Sequence, residues 1–191
     1  MQLQEMRGEL EMANIEWTYN DGGREETGYK GTTDDCVTRA IAIATNKNYQ
    51  TVYDELTEAT KVYAETHNNK VAKALREAKA KGRPYTPRNG VYKEVFKPYL
   101  KNLGWEWIPT MFIGQGTKVH LKADELPKGN LIVNVSRHIT TVLDGVLHDI
   151  FDCSREGTRA VYGYFVLTCP QCEESNLNED KTLCWDCEGQ P

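Results

Sequence analysis

Two residues far apart in the chain carry side chains suited to thiol chemistry, and each opens a regular element. Residues 32–45, TTDDCVTRAIAIAT, put Cys36 at the start of an apolar helix. Residues 134–152, NVSRHITTVLDGVLHDIFD, put His138 at the start of a β-hairpin with acids on its return strand. That order suits a thiolate nucleophile, a histidine base and an acidic residue that orients the histidine. The start of a helix favours a thiolate, because unpaired backbone N–H groups and the positive end of the dipole face it. The same N–H groups, beginning with that of Cys36, can face an oxyanion growing on an attacked carbonyl. Asp34 and Asp35 carry like charge beside the sulfur, so they fit as caps or as groups turned away from it. Either is a candidate oxyanion neighbour only through a backbone N–H or a side-chain proton.

The choice of acid follows from the turn. Asp144-Gly145 is a favoured two-residue hairpin loop. It sets Leu143 opposite Val146, position 138 opposite 151 and position 149 opposite 140. Asp149 is then the diagonal neighbour of His138 on the same face, while Asp152 points to the other face unless the strand ends early or bulges. Asp149 is the expected partner and Asp152 the alternative. His148 faces away, and His67 and His120 have no supporting context.

A second chemical pattern closes the chain. Cys169, Cys172, Cys184 and Cys187 form C-x2-C-x11-C-x2-C. Each pair places two sulfurs on a tight knuckle, and four thiolates suit one tetrahedral, structural Zn2+. With no histidine or base in the segment, a catalytic ion is not expected there. So small a loop draws its folding energy from the metal, and Trp185 is expected to pack over the knuckle.

The elements that must position these residues are helices first and strands second. Helices are expected from Asp34 or Asp35 to Thr45, with Val37, Ala40, Ile41 and Ala44 as one stripe, and from Thr51, capped by Thr51 with Asp54 reaching back. The inner face of the second should be Val52, Leu56, Ala59 and Tyr63. A solvent-facing helix over 69–81, a loop over 82–90 and a helix over 91–103, kinked or shifted by Pro98, follow. Residues 105–109 read as a strand, 111–118 as a loop and 121–126 as a short helical turn. Residues 130–136, 138–143, 146–152 and 160–167 read as β segments, and 15–19 as a short strand. The expected class is α+β, with N-terminal helices packed on a C-terminal antiparallel sheet and a small zinc-binding appendage. The expected parts are an N-terminal extension (1–30), a main domain (31–168) and the zinc knuckle (169–191).

The segments 35–45, DCVTRAIAIAT, and 138–149, HITTVLDGVLHD, resemble the papain-like cysteine peptidase superfamily, in particular small phage-encoded members. The resemblance spans about residues 30–167 and implies a papain-like fold. It implies thiol attack on an amide or isopeptide carbonyl through an acyl-enzyme. Cys36 would be the nucleophile, His138 the base and then the acid, and Asp149 or Asp152 the orienter. One feature departs from that family, which places an oxyanion-hole glutamine several residues before the nucleophile. Here Lys30 stands six before Cys36, and Gln115 is a distant substitute. Beside the peptidase or isopeptidase reading stand an acyltransferase or deamidase with the same triad, and an inactive scaffold that acts as a zinc-ribbon adaptor.

Composition narrows the partners. The net charge is -5, and the segment 169–191 holds Lys181 as its one basic residue, so nucleic acid is not the expected ligand. No apolar run approaches a membrane span, and the N-terminus has no apolar core of a secretion signal. Cysteines placed for metal and catalysis imply a reducing, cytoplasmic setting. The expected partners are a protein or peptide substrate and a protein recruited by the zinc ribbon; the oligomeric state is open.

Overall fold

The structure, a computed structural model, describes residues 14–31 and 33–167. The proposed zinc ligands Cys169, Cys172, Cys184 and Cys187 lie outside the described residues, as do residues 1–13 of the N-terminal extension. The chain divides into two units, Asp21–Gly104 and the residues that flank it on both sides. The first is helical and the second is built on a sheet, so the class is α+β.

The helical unit contains α1 (Cys36–Thr45), α2 (Tyr49–Thr66), α3 (Lys70–Ala80) and α4 (Lys93–Asn102). Helix α1 is buried more widely than one stripe: Thr38, Arg39 and Ala42 are buried along with Val37, Ala40, Ile41 and Ala44. Small alanines on several sides permit this close packing. Asn46, with φ of 54°, ends the helix in the left-handed conformation that asparagine tolerates. Helix α2 begins two residues before the expected Thr51. Asn48 Oδ1 accepts from the N–H groups of Gln50 at 2.9 Å and Thr51 at 3.3 Å, and asparagine is the stronger cap. Asp54 instead accepts from Gln50 Nε2 at 2.8 Å. The earlier start rotates the inner face to Tyr49, Val52, Tyr53, Leu56, Thr60 and Ala64, leaving Ala59 and Tyr63 half-buried at its margin. Helix α3, capped by Asn69, buries only Ala72 and Leu75, as its composition predicts. Helix α4 runs through Pro98 and buries Val95, Phe96 and Leu100. Tyr99 Oη donates to Glu55, fastening α4 to α2.

Among the described residues, the second unit is one six-stranded sheet of β1 (Glu16–Tyr19), β2 (Trp105–Pro109), β3 (Asn130–Val135), β4 (His138–Leu143), β5 (Val146–Asp149) and β6 (Val161–Leu167), in the order β1-β5-β4-β3-β6-β2. The expected antiparallel sheet is in fact mixed. Strand β1 pairs parallel to β5, with Glu16 opposite Val146 and Tyr19 opposite Asp149. A parallel pair needs a long connection, and the whole helical unit lies in the chain between these two strands. Residues 121–126 form turns rather than helix. The Leu121 N–H is already committed to Arg159 O at 2.8 Å, next to a bridge between His120 and Ala160.

Side chains alternate across the sheet. Leu131, Val133 and Val135 of β3, Val142 of β4, Leu147 of β5 and Val166 of β6 share one apolar core with Ile15, Leu121, Leu126, Cys153 and Val161. In β6 the pairing skips Tyr162, so that Asn134 faces Gly163 and Val135 faces Val161. Gly163 is required there, because a Cβ would lie 2.4 Å from the Trp107 ring and 2.6 Å from the Ile108 carbonyl oxygen.

Candidate functional site

His138 is set by two tight turns. Ser136 and Arg137 link β3 to β4, Arg137 with φ of 56°, so His138 is the first residue of β4 opposite Val135. Asp144 and Gly145, with φ of 48° and 86°, link β4 to β5. Positive φ at both loop residues matches the right-handed twist of the strands. Leu143 pairs with Val146 and Thr141 with His148. That register carries Asp149 to the diagonal of His138, and Nε2 lies 2.6 Å from Asp149 Oδ2.

The pair sits at the edge of the apolar core, with side-chain exposures of 12% for His138 and 4% for Asp149. The carboxylate is held from several directions. Oδ1 accepts from the Ile150 N–H at 2.8 Å, and the Cys153 thiol approaches Oδ2 at 3.9 Å. Burial pushes the Asp149 carboxyl up. The hydrogen bond and charge of His138, the Thr140 hydroxyl and the Ile150 N–H outweigh it, so its pKa is lowered overall. Asp149 is therefore ionised at neutral pH and only accepts, so the proton between the two residues belongs to Nε2. The Phe151 ring lies 5.2 Å from the imidazole. Asp152, the alternative orienter, is exposed and caps a turn by accepting from the Ser154 N–H at 2.8 Å. His148 alternates to the other face, where its Nδ1 is 3.4 Å from Asn20 Nδ2.

Cys153 is the member that sequence reasoning missed. It is buried in a non-strand segment after β5. Donor atoms of His138, Asp149 and Cys153 all lie within 4.8 Å of one another, close enough for one ion or one functional cluster. The available signal was the spacing of four between Asp149 and Cys153, uninformative without the path of the chain.

In the helical unit, Cys36 is the first residue of α1 and is half-buried. Asp35 stands at the N-cap, but its side chain accepts nothing from the first-turn N–H groups. It is fully buried and turns inward. Its carboxylate pairs with Arg39, one helical turn on, and accepts from Tyr49 Oη at 2.5 Å. Arg24 Nε lies 3.0 Å away as an ion pair. Burial, then the hydrogen bond and charge of Asp35, push the Tyr49 hydroxyl well above its usual range, so it stays a neutral donor. Among the oxyanion candidates, the Asp35 side chain is thus a committed acceptor. The Asp34 N–H is bonded to Arg88 O at 3.2 Å. The first-turn N–H groups, beginning with that of Cys36, are the ones no helix carbonyl can reach.

Among the described residues, no helix is long and apolar enough to cross a membrane. No family model, no curated protein and no solved structure matches this chain.

Proposed function

We propose that His138 and Asp149 form an oriented base for thiol chemistry at a carbonyl carbon, with Cys36 as the nucleophile. The observation that carries this reading is the His138–Asp149 contact of 2.6 Å on a buried carboxylate. With Nε2–H given to Asp149, Nδ1 holds the lone pair that takes the thiol proton. The thiolate adds to the carbonyl, His138 returns the proton to the leaving group, and water or an amine resolves the acyl-enzyme. The assignment of Cys36 rests on its place at a helix start whose capping side chain is turned away. The papain-like resemblance of 35–45 and 138–149 supports the same roles. Nothing in an oriented histidine–carboxylate pair selects water over an amine, so acyl transfer and deamidation stand level with peptide or isopeptide hydrolysis.

A second reading is favoured by the Cys153 sulfur beside the same carboxylate: a non-catalytic scaffold whose cluster and C-terminal cysteines bind metal and recruit a protein partner. Limited alkylation of the chain given one equivalent of Zn2+, which the four C-terminal thiolates take first, with the modified site mapped by mass spectrometry, separates the two. The enzyme reading expects Cys36 to label far faster than buried Cys153, and His138→Ala to slow it. Equal rates, unchanged by His138→Ala, leave the scaffold reading.

A further inference from the structure

The three donors around Asp149 are chemically unlike those of a simple catalytic pair. A histidine needs only its carboxylate to be oriented, yet a thiol also points at that carboxylate from within the core. We propose that His138 Nε2, Asp149 Oδ2 and Cys153 Sγ bind a borderline-soft divalent cation of the Zn2+ type, and that binding moves the imidazole proton from Nε2 to Nδ1.

The donor set selects the ion. One nitrogen, one carboxylate oxygen and one sulfur suit Zn2+ or Co2+, whereas Mg2+ and Ca2+ take oxygen ligands. The distances need small adjustment. Tetrahedral Zn2+ with ordinary bond lengths sets nitrogen and oxygen donors about 3.3 Å apart, and sulfur and oxygen about 3.6 Å apart. The observed separations are 2.6 Å for Nε2 to Oδ2 and 3.9 Å for Sγ to Oδ2. All three donors lie within 4.8 Å of one another, so side-chain rotations that move atoms by up to about an ångström bring them onto one ion. The carboxylate is already steadied from behind by Ile150 N–H and Thr140, as ligating carboxylates are in metal sites. Three protein donors leave a fourth position for water or an exogenous ligand.

The consequence follows from the tautomer. Without metal, Asp149 accepts from Nε2–H and the lone pair is on Nδ1. With metal, the Nε2 lone pair goes to the ion, Cys153 binds as thiolate and its proton leaves to solvent, and the imidazole proton resides on Nδ1. A histidine in that form has no lone pair with which to accept a thiol proton. The ion would therefore switch off the base. This last step rests on the function proposed above, whereas the binding site does not.

The test uses the full chain loaded with excess Zn2+ and desalted, its metal content measured against Cys153→Ala treated identically. The site expects the variant to hold one ion fewer per chain. Co2+ in place of Zn2+ should give near-ultraviolet thiolate charge-transfer absorption that is weaker in the variant. A readout that needs no variant is the histidine side-chain NMR spectrum of the wild-type chain, where Zn2+ should convert His138 from the Nε2–H to the Nδ1–H form. Thr140→Val, which keeps all three donors, should weaken this ion about tenfold or more. Equal metal content in wild type and Cys153→Ala, with His138 signals unmoved by Zn2+, overturns the site and leaves metal only on other cysteines. Tautomer conversion without any slowing of Cys36 labelling keeps the metal site and removes the link to Cys36. Labelling that depends on His138 without any ion at Cys153 does the reverse.

Discussion

Asp35 in the helical unit and Asp149 in the sheet unit are both buried carboxylates at the end of a regular element, but they are compensated by different kinds of group. Asp35 faces two guanidiniums, Arg39 and Arg24, and the hydroxyl of Tyr49. Arginine does not lose its proton in proteins, so these two partners keep their charge and hold the start of α1. Asp149 faces an imidazole, a thiol, a hydroxyl and one backbone N–H. Imidazole and thiol are groups that give up protons or take metal near neutral pH. The comparison separates a carboxylate that holds structure from one whose partners can change state.

The largest effect expected from breaking this comparison is on stability. Asp35→Asn takes the counter-charge from the buried Arg39 guanidinium and from the partly exposed Arg24, and should cost about 3–5 kcal/mol, as removal of one partner of a buried ion pair does. Urea denaturation followed by circular dichroism reads it; a cost near zero would show that water, not Asp35, compensates the arginines. In Asp149→Asn the sign of importance reverses. No permanent charge is left without its partner, so the stability cost should be smaller, about 1–3 kcal/mol. The alkylation rate of Cys36 should then fall about 100-fold, the low end of what an oriented base contributes. A variant that loses stability like Asp35→Asn yet labels normally would make Asp149 a second structural carboxylate.

The smallest effect is in the acid limb of stability. Asp149 is lowered below its ordinary value of 3.8. A carboxylate shifted that way contributes stability that is present above its unfolded pKa and lost as pH falls through its folded one. Unfolding free energy should therefore drop more steeply below about pH 4 in wild type than in Asp149→Asn. Parallel curves for the two proteins would show that the carboxylate gains nothing from its partners in the folded state.

Much of the sheet site was legible. The Asp144-Gly145 turn sets a register, the period of two sets the face, and together they choose Asp149 over Asp152 by local geometry. The helix starting at Cys36 was legible for a similar reason, since apolar spacing and a following Asn46 are short-range signals. The start of α2 was misplaced because Thr51 and Asp54 imitate a capping box, while Asn48 is the stronger acceptor three residues earlier. Residues 15–19 read as a strand, but its parallel pairing with β5 was not legible, because pairing across the length of the chain leaves no mark in the spacing of β1.

The sequence by itself thus determined the α+β class, the helix that presents Cys36 and the hairpin that joins His138 to Asp149, because each depends on neighbours a few residues apart. Tertiary structure alone decided three things: that Asp35 turns from capping to an arginine pair, that Cys153 comes to the Asp149 carboxylate, and that β1 closes the sheet in parallel. The reason is physical. A buried charge takes whichever compensating groups the folded chain brings within reach, and Arg24, Tyr49 and Cys153 are brought there by the path of the backbone, which residue spacing does not encode.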